Sequence, residues 1–253
     1  MTGPSKGAAM EPRGLRGISL RHELEAASGE YQWVYLWHWA IRVMHWVAAL
    51  SIVVLATTGL YIGRPYFAPG ATGETPFQMG WMRFLHFSAA ALLVMTAIVR
   101  VYWLIAGNKF ERAAALFPVR PRDWVNLAKQ VKFLLLIHPE RAPRYLGHNP
   151  LQQLSYTGLY LLALVSVVTG FALYGQSNPD GLIFRVFGWL GPALGGMQNV
   201  RFLHHVLTWL FLAFIPIHVY LAIRSDVLER GGAISSIITG GRFVPRRHHY
   251  VDE

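Results

Sequence analysis

The sequence predicts an all-α integral membrane protein, built as a bundle of four transmembrane helices. The first observation behind this prediction is composition: 53% of the 253 residues are hydrophobic and only 14% are charged, whereas soluble domains carry about 25% charged residues. The second is that the charge-poor residues are collected into four long stretches. The third is that histidines lie inside these stretches, where a bilayer disfavours ionisable groups.

Each of the four stretches is long enough to cross a bilayer, which takes about 20 helical residues. They are approximately 43–62, 84–105, 154–174 and 202–223. The first begins after some forty residues without a short apolar core and cleavage site, so we expect no secretory signal peptide. We divide the chain into a flexible cytoplasmic tail (1–32), the four-helix domain (33–243) and a basic cytoplasmic tail (244–253).

The distribution of Lys and Arg predicts the orientation, because short cytoplasmic loops retain positive charge. The segment up to Arg42 holds five, the 106–150 loop eight and the segment from Arg224 onward five. The two remaining loops hold one each, Arg64 and Arg185. Both termini are therefore predicted to be cytoplasmic. The net charge of +10 is then explained by topology and lipid headgroups, and we expect no nucleic-acid partner.

Two segments between the spans also have recognisable patterns. Pro121–Ile137 has apolar residues at helical spacing and lysines elsewhere, which predicts an interfacial amphipathic helix. Gly181–Leu194 is apolar and aromatic but is interrupted by glycine and proline. This pattern favours an element at the membrane surface over a docking surface for a partner.

Four histidines fall within or at the edges of the predicted spans: His45, His86, His204 and His218. The interval of 14 between His204 and His218 brings both side chains to one helix face, about 21 Å apart along the axis. With the predicted topology, His45 lies at the depth of His218, and His86 at the depth of His204. The neighbouring His205 points away from this face.

Two histidines at one depth on facing helices are what a non-covalently bound haem b requires as axial ligands. The chain has no cysteine, which excludes thiolate ligands and covalent haem attachment. The sequence therefore predicts two haems b. A single membrane histidine often only hydrogen-bonds a neighbouring helix, but four at two matched depths make that alternative a poor explanation. Zinc or non-haem iron would need a cluster of three ligands, often with a carboxylate. The four predicted spans contain no carboxylate, so these metals are poorer candidates.

Arginines and glycines near these histidines fit the same interpretation. Arg42, Arg83 and Arg201 each precede a predicted ligand by three residues, and Arg100 follows His86 by 14. A guanidinium at such positions can bind a haem propionate, although arginine near a helix end also snorkels to headgroups. Gly59 follows His45 by 14 and is predicted to let a porphyrin approach closely, unless it serves helix packing. Gly158 and Gly170 are weaker candidates of the same kind.

The residues resemble those of a known family, the b-type cytochrome subunits of membrane-bound nickel–iron uptake hydrogenases. The first family signature is similar to RVMHWVAALSIVVLATTG (Arg42–Gly59) and the second to RFLHHVLTWLFLAFIPIH (Arg201–His218). Further similar segments are GWMRFLHF (Gly80–Phe87), RVYWLIAGN (Arg100–Asn108), GHNPL (Gly147–Leu151), TGFALYG (Thr169–Gly175) and HVYLAIRSDVL (His218–Leu228). The segment YLWHWAI before Arg42 departs from the pattern, as do His38, Thr57 and Phe202.

The resemblance implies an electron route. The chain would anchor a periplasmic hydrogenase in the bacterial inner membrane, receive electrons from its iron–sulfur small subunit at the outer haem, and reduce quinone at the inner haem. The nickel–iron large subunit would be reached only through the small subunit, so the chain itself would not activate hydrogen. Two alternatives stay open: a dihaem cytochrome of another dehydrogenase, such as formate dehydrogenase, or of a stand-alone quinone-linked oxidoreductase; and a haem-free anchor or transporter.

His148 and Asn149, directly before the third span, are predicted to serve quinone reduction. An imidazole with a pKa of about 6.5 suits proton relay at the cytoplasmic surface. The alternative for this pair is structural, because Asn before Pro is a common helix-start signal.

Overall fold

The computed structural model describes residues 30–66, 77–118, 120–134, 143–229, 232–246 and 249–252. Within them, four long helices are joined by shorter elements. In chain order the elements are β1 (Tyr31–Tyr35), α1 (Trp39–Gly63), α2 (Gln78–Ala106), α3 (Ala113–Leu116), α4 (Pro121–Leu134), α5 (Pro150–Gly175), α6 (Leu182–Phe187), α7 (Leu190–Ala193), α8 (Met197–Glu229), α9 (Ala233–Thr239) and β2 (Gly241–Pro245).

Helices α1, α2, α5 and α8 are each long and apolar enough to cross a membrane, which confirms the four predicted spans. All four extend beyond the predicted limits, because their ends carry aromatic and polar residues that suit the interface. Most residues of these helices are exposed in the isolated chain, including many large apolar side chains. Such surfaces are suited to lipid, and the chain is a multi-pass membrane protein.

The four long helices do not pack uniformly. Helix α1 packs along α2 and also against α8, while α5 packs against α8. Helices α2 and α8 share few close backbone contacts. Side chains that extend from α2 and α8 therefore meet across a gap between the two helices.

A small extramembrane layer lies at the end of the bundle where α1 begins and α8 ends, which we call the sheet end. Strands β1 and β2 pair antiparallel there, with Tyr31 opposite Pro245 and Tyr35 opposite Gly241. Beneath them is a small apolar core of buried side chains: Leu36, Phe110, Leu146 and Val244. The opposite end of the bundle is called the far end.

The sheet was not predicted from the sequence. The predicted boundaries at 32 and 243 fall inside β1 and β2, where Gln32 lies opposite Val244 and Trp33 opposite Phe243. The C-terminal segment is also attached further along, since Asp252 accepts hydrogen bonds from the backbone N–H groups of Leu146 and Gly147 at 2.7 Å each. The predicted flexible tail at 1–29 lies outside the described residues.

The two predicted short elements are present. Helix α4 begins at Pro121 as expected and is described to Leu134; the predicted positions 135–137 lie outside the described residues. The Gly181–Leu194 segment forms α6 and α7, an apolar helical element with Leu182 and Trp189 exposed. Its exposed apolar side chains suit a position at the membrane surface.

A buried carboxylate organises the sheet end. Glu111 is 1% exposed, and its Oε1 accepts a hydrogen bond from the backbone N–H of His38 at 2.5 Å. Its Oε2 accepts from Trp103 Nε1 at 3.0 Å and from the backbone N–H of Asn108 at 3.1 Å. One side chain thus joins the start of α1, the end of α2 and the loop that follows it.

Candidate haem-binding site

The structure brings the four predicted histidines together as two pairs. The ring centroids of His45 on α1 and His218 on α8 are 6.4 Å apart. Those of His86 on α2 and His204 on α8 are 6.5 Å apart. Because α1 runs away from the sheet end and α2 returns towards it, the His45–His218 pair is the one nearer the sheet end. The pairing expected from depth is therefore the pairing found.

The spacing within each pair fits one metal ion between two imidazoles. An imidazole nitrogen binds a transition metal at about 2.0 to 2.1 Å. Two such bonds, together with about 1.1 Å from each nitrogen to its ring centre, separate the centroids by about 6.3 Å. Among the described residues no group of three or more His, Cys, Asp or Glu side chains could hold a metal ion. Paired ligands with the remaining positions left to a porphyrin match this donor set.

His86 is held by two consecutive residues of α1. Its Nδ1 lies 2.9 Å from the hydroxyl of Thr58, which is buried. A Cβ at Gly59 would lie 3.1 Å from Cε1 of His86, so the missing side chain makes room for the imidazole. The neighbour found for Gly59 is thus the ring of His86, whereas the sequence analysis expected a porphyrin there. Its role toward a porphyrin stays a prediction.

His204 is held in the same way by two consecutive residues of α5. Its Nδ1 lies 2.8 Å from the hydroxyl of Thr169, which is 1% exposed. A Cβ at Gly170 would lie 3.3 Å from Cε1 of His204. A Cβ at Gly158, in contrast, would meet no atom within 4 Å. The far-end pair is therefore enclosed by two Thr-Gly steps, one on each side.

The sheet-end pair has different surroundings. Nδ1 of His45 is buried and has no hydrogen-bond partner among the described residues. His218 stacks on Phe214 with a centroid distance of 5.4 Å and an interplanar angle of 13°. His45 also meets Trp46 edge to face at 5.3 Å. Aromatic packing, rather than hydrogen bonding, positions these two rings.

The two predicted arginines at the sheet end, Arg42 and Arg100, both donate hydrogen bonds to other residues of the chain. Arg42 donates from Nη1 to the carbonyl of Ile238, while its buried Nε has no partner among the described residues. Arg100 donates from Nε to the hydroxyl of Tyr160 at 3.0 Å, and from both terminal nitrogens to the carbonyl of Glu111 at 3.2 and 3.1 Å. Arg42 therefore keeps a buried donor for a ligand, whereas Arg100 is largely used in bracing the loop.

At the far end, Arg83 and Arg201 are exposed. Arg201 donates to Oε1 of Gln198 at 2.9 Å, and Arg83 makes no hydrogen bond within the described part of the chain. Their role as propionate partners stays a prediction.

His205 lies against α1, where a Cβ at Gly63 would be 3.2 Å from its Cε1, and so it faces a different neighbour from His204.

His148 and Asn149 lie at the start of α5. The Asn149 side chain accepts from the Gln152 backbone N–H at 2.9 Å, and Gln152 Oε1 accepts from the Asn149 N–H at 2.9 Å, which completes a capping box. The His148 ring lies 4.7 Å from Trp37 and 4.6 Å from Tyr156 between centroids. Burial and, secondarily, the positive charge of Arg100 lower the pKa of His148 to about 3. A neutral, enclosed imidazole favours the structural alternative over proton uptake near pH 7.

Thr58, Thr169 and Glu111 were missed by the sequence analysis. The sequence does mark both threonines, since each stands directly before a glycine inside an apolar span. The contact of each threonine with a histidine on another helix is not encoded in local sequence. Glu111 is one of three acidic residues in the basic loop 106–150, and the sequence around it does not mark it as buried.

Comparison with known proteins places the chain among cytochromes. The sequence profile of the family described as "Prokaryotic cytochrome b561" matches residues 36–240. Three relatives carry "Ni/Fe-hydrogenase" and "B-type cytochrome subunit" in their names, each qualified as "Probable". That of Azotobacter vinelandii is 39% identical over 89% of this chain and 97% of its own length. That of Cupriavidus necator is 37% identical over 82% and 86%, and that of Escherichia coli K12 is 31% identical over 82% and 90%.

The fold and the histidine pairs define a four-span helical membrane protein with two candidate bis-imidazole sites. The chain belongs to the prokaryotic cytochrome b561 family, and within it is similar over most of its length to the hydrogenase B-type cytochrome subunits. The family resemblance drawn from the sequence is confirmed.

Proposed function

We propose that the chain is a dihaem b-type cytochrome that anchors a nickel–iron hydrogenase in the bacterial cytoplasmic membrane and carries electrons from its iron–sulfur small subunit to quinone. The observation that carries this proposal is the two histidine pairs, whose ring centroids are 6.4 and 6.5 Å apart, close to the spacing of about 6.3 Å expected for two imidazoles on one metal ion. The names of the relatives support the hydrogenase partner.

A haem b at each site would supply a one-electron carrier that cycles between ferric and ferrous iron. The residues of this chain fix where those carriers lie. His204 and His218 are 14 residues apart on α8, which places the two sites about 21 Å apart along the helix axis. The continuous helix α8, which contains Pro216 between the two histidines, thus supplies one ligand to each site.

The orientation follows from the charge distribution. Cytoplasmic loops retain Lys and Arg, and the sheet end contains both described chain ends and most of the basic loops. We therefore assign the sheet end to the cytoplasm and the far end to the periplasm. A periplasmic hydrogenase would then deliver electrons near His86 and His204, and the His45–His218 site would be the second in the sequence.

A groove at the sheet end offers a place for the quinone head. Its volume is about 360 Å³, within the range of small-molecule sites. Trp39 and Trp46 in its wall are 60% and 52% exposed, so the groove is open. It is lined by Trp39, Arg42, Val43, Trp46, Val47, Ile237 and Ile238.

The groove combines apolar walls with one donor suited to a carbonyl. Nε of Arg42 is buried without a partner in the described residues, and a buried unpaired donor costs about 1–3 kcal/mol. A quinone carbonyl oxygen could accept from it. Arg42 and Trp46 flank His45 in α1, so a quinone in this groove would lie beside the second haem site.

The proposal is tested by purifying the tagged full chain from membranes in which the hydrogenase is also produced. We expect the iron–sulfur small subunit to co-purify, hydrogen gas to reduce the b-type haems, and added quinone to reoxidise them. A chain that shows haem b but retains no hydrogenase, and whose haems hydrogen does not reduce, would contradict the hydrogenase partner. Reduction by formate in such a preparation would favour the alternative dehydrogenase.

A further inference from the structure

We propose that Thr58 and Thr169 are positioning residues that lower the redox potential of the far-end haem below that of the sheet-end haem. This inference rests on the proposed function, because it concerns ligands of the haems assigned there. Two observations support it: each far-end histidine contacts a threonine hydroxyl, and the His45–His218 pair has different surroundings.

We infer the donor in each Thr–His contact from the other hydrogen bonds of the threonine. Thr58 donates its single hydroxyl proton to the carbonyl of Val54 at 2.6 Å, and Thr169 donates to the carbonyl of Val165 at 2.7 Å. A hydroxyl has one proton to donate but two lone pairs. In both contacts the threonine oxygen therefore accepts, and Nδ1 of the histidine carries the proton.

This assignment fixes the tautomer of both far-end histidines. A neutral imidazole has one N–H, so Nε2 of His86 and of His204 is left with a free lone pair for iron. The threonine oxygen on the neighbouring helix thus accepts the hydrogen bond that a metal-bound histidine commonly donates to a carbonyl or carboxylate.

The sheet-end pair lacks this support. Nδ1 of His45 has no hydrogen-bond partner in the described part of the chain, and the ring of His218 stacks on Phe214. Donation from Nδ1–H makes an imidazole a more basic ligand, and a more basic ligand stabilises ferric over ferrous iron. The far-end haem should accordingly have the lower potential, so that an electron moves downhill from the far end to the sheet end.

The test is an optical redox titration of the full-length chain and of the Thr58→Val/Thr169→Val double variant. Valine keeps the shape of threonine and replaces the hydroxyl by a methyl group, which removes the acceptor for the histidine and the donor to the helix carbonyl. We expect the lower-potential component to shift upward and the higher-potential component to stay unchanged. A tenfold change in the ferric-to-ferrous preference corresponds to about 59 mV for a one-electron couple, and we expect a shift of that order.

Thr57→Val is the matched control. Thr57 is the neighbouring residue on α1, is exposed, and donates to Val53 and Val54 carbonyls at 2.9 and 3.0 Å. It has the same local bonds as Thr58 but no histidine contact within the described structure. We expect both potentials to equal those of the unmodified chain.

A His218→Ala background identifies the components, because it should leave only the far-end haem. Two haems with potentials that the double variant does not change, or a shift confined to the sheet-end haem, would overturn the inference while leaving the proposed function intact. A wild-type chain without two haems would instead overturn the proposed function.

If the valine variant fails to incorporate the far-end haem, the Thr58→Ser/Thr169→Ser variant decides between the two explanations. Restoration of the haem at its original potential supports the hydroxyl role. Continued loss of the haem shows that only packing matters.

Discussion

His218→Ala is expected to reduce the haem content of the chain from two to one. His218 and His204 lie about 21 Å apart along α8, so they cannot bind the same iron, and His218 shares its site with His45 at a centroid distance of 6.4 Å. Alanine leaves that site with one imidazole, whereas the His86–His204 pair keeps its threonine contacts. Pyridine haemochrome quantification and the reduced-minus-oxidised spectrum measure the remaining haem.

His205→Ala is the matched control for ligand loss, because it removes an imidazole of the same helix that lies against Gly63. We expect it to retain both haems. Loss of haem in His205→Ala together with full retention in His204→Ala would show that the wrong neighbour was assigned. If each of the four ligand replacements removed the same single haem, the pairing by depth would be wrong.

Glu111→Ala is expected to lower the thermal stability of the chain more than any surface substitution. The variant leaves three donors, the backbone N–H groups of His38 and Asn108 and Nε1 of Trp103, without their buried acceptor. Each unsatisfied buried donor costs about 1–3 kcal/mol, so the total loss should be about 3 kcal/mol or more. Thermal unfolding in detergent, followed by tryptophan fluorescence, measures the effect.

Asp180→Asn provides the control, since Asp180 is an exposed carboxylate in the loop between α5 and α6. Its unfolding temperature should equal that of the unmodified chain. Glu111→Gln should fall between the two, because glutamine keeps one acceptor oxygen but directs an amide at the remaining donors. Equal stability of Glu111→Ala and the unmodified chain would exclude the bracing role of this carboxylate.

The spans and the histidine pairs could be predicted because both depend on local sequence and helix geometry. An uncharged apolar segment of about 20 residues has few alternatives to a transmembrane helix. The fixed rise and rotation of a helix then turn the 14-residue interval between His204 and His218 into two depths on one face. The direction of each span matched His45 with His218 and His86 with His204 without any knowledge of side-chain packing.

The remaining features depend on contacts between distant parts of the chain. Strands β1 and β2 are short and lie about two hundred residues apart in the sequence. No turn joins them, so the local sequence does not indicate that they pair. The Thr58–His86 and Thr169–His204 contacts require the relative rotation of two helices, which periodicity in one helix does not give. Glu111 is buried by its contacts with the start of α1 and the end of α2, and its position between Phe110 and Arg112 in the sequence does not reveal these contacts.

The haem stoichiometry and spin state of the purified full-length chain test the central claim most directly. Two bis-imidazole sites predict two haems b per chain by pyridine haemochrome assay, and low-spin ferric signals from both by electron paramagnetic resonance of the oxidised protein. One haem per chain, or a ferric high-spin signal that accounts for one of two haems, would contradict the account, because it would leave a histidine pair without a shared iron.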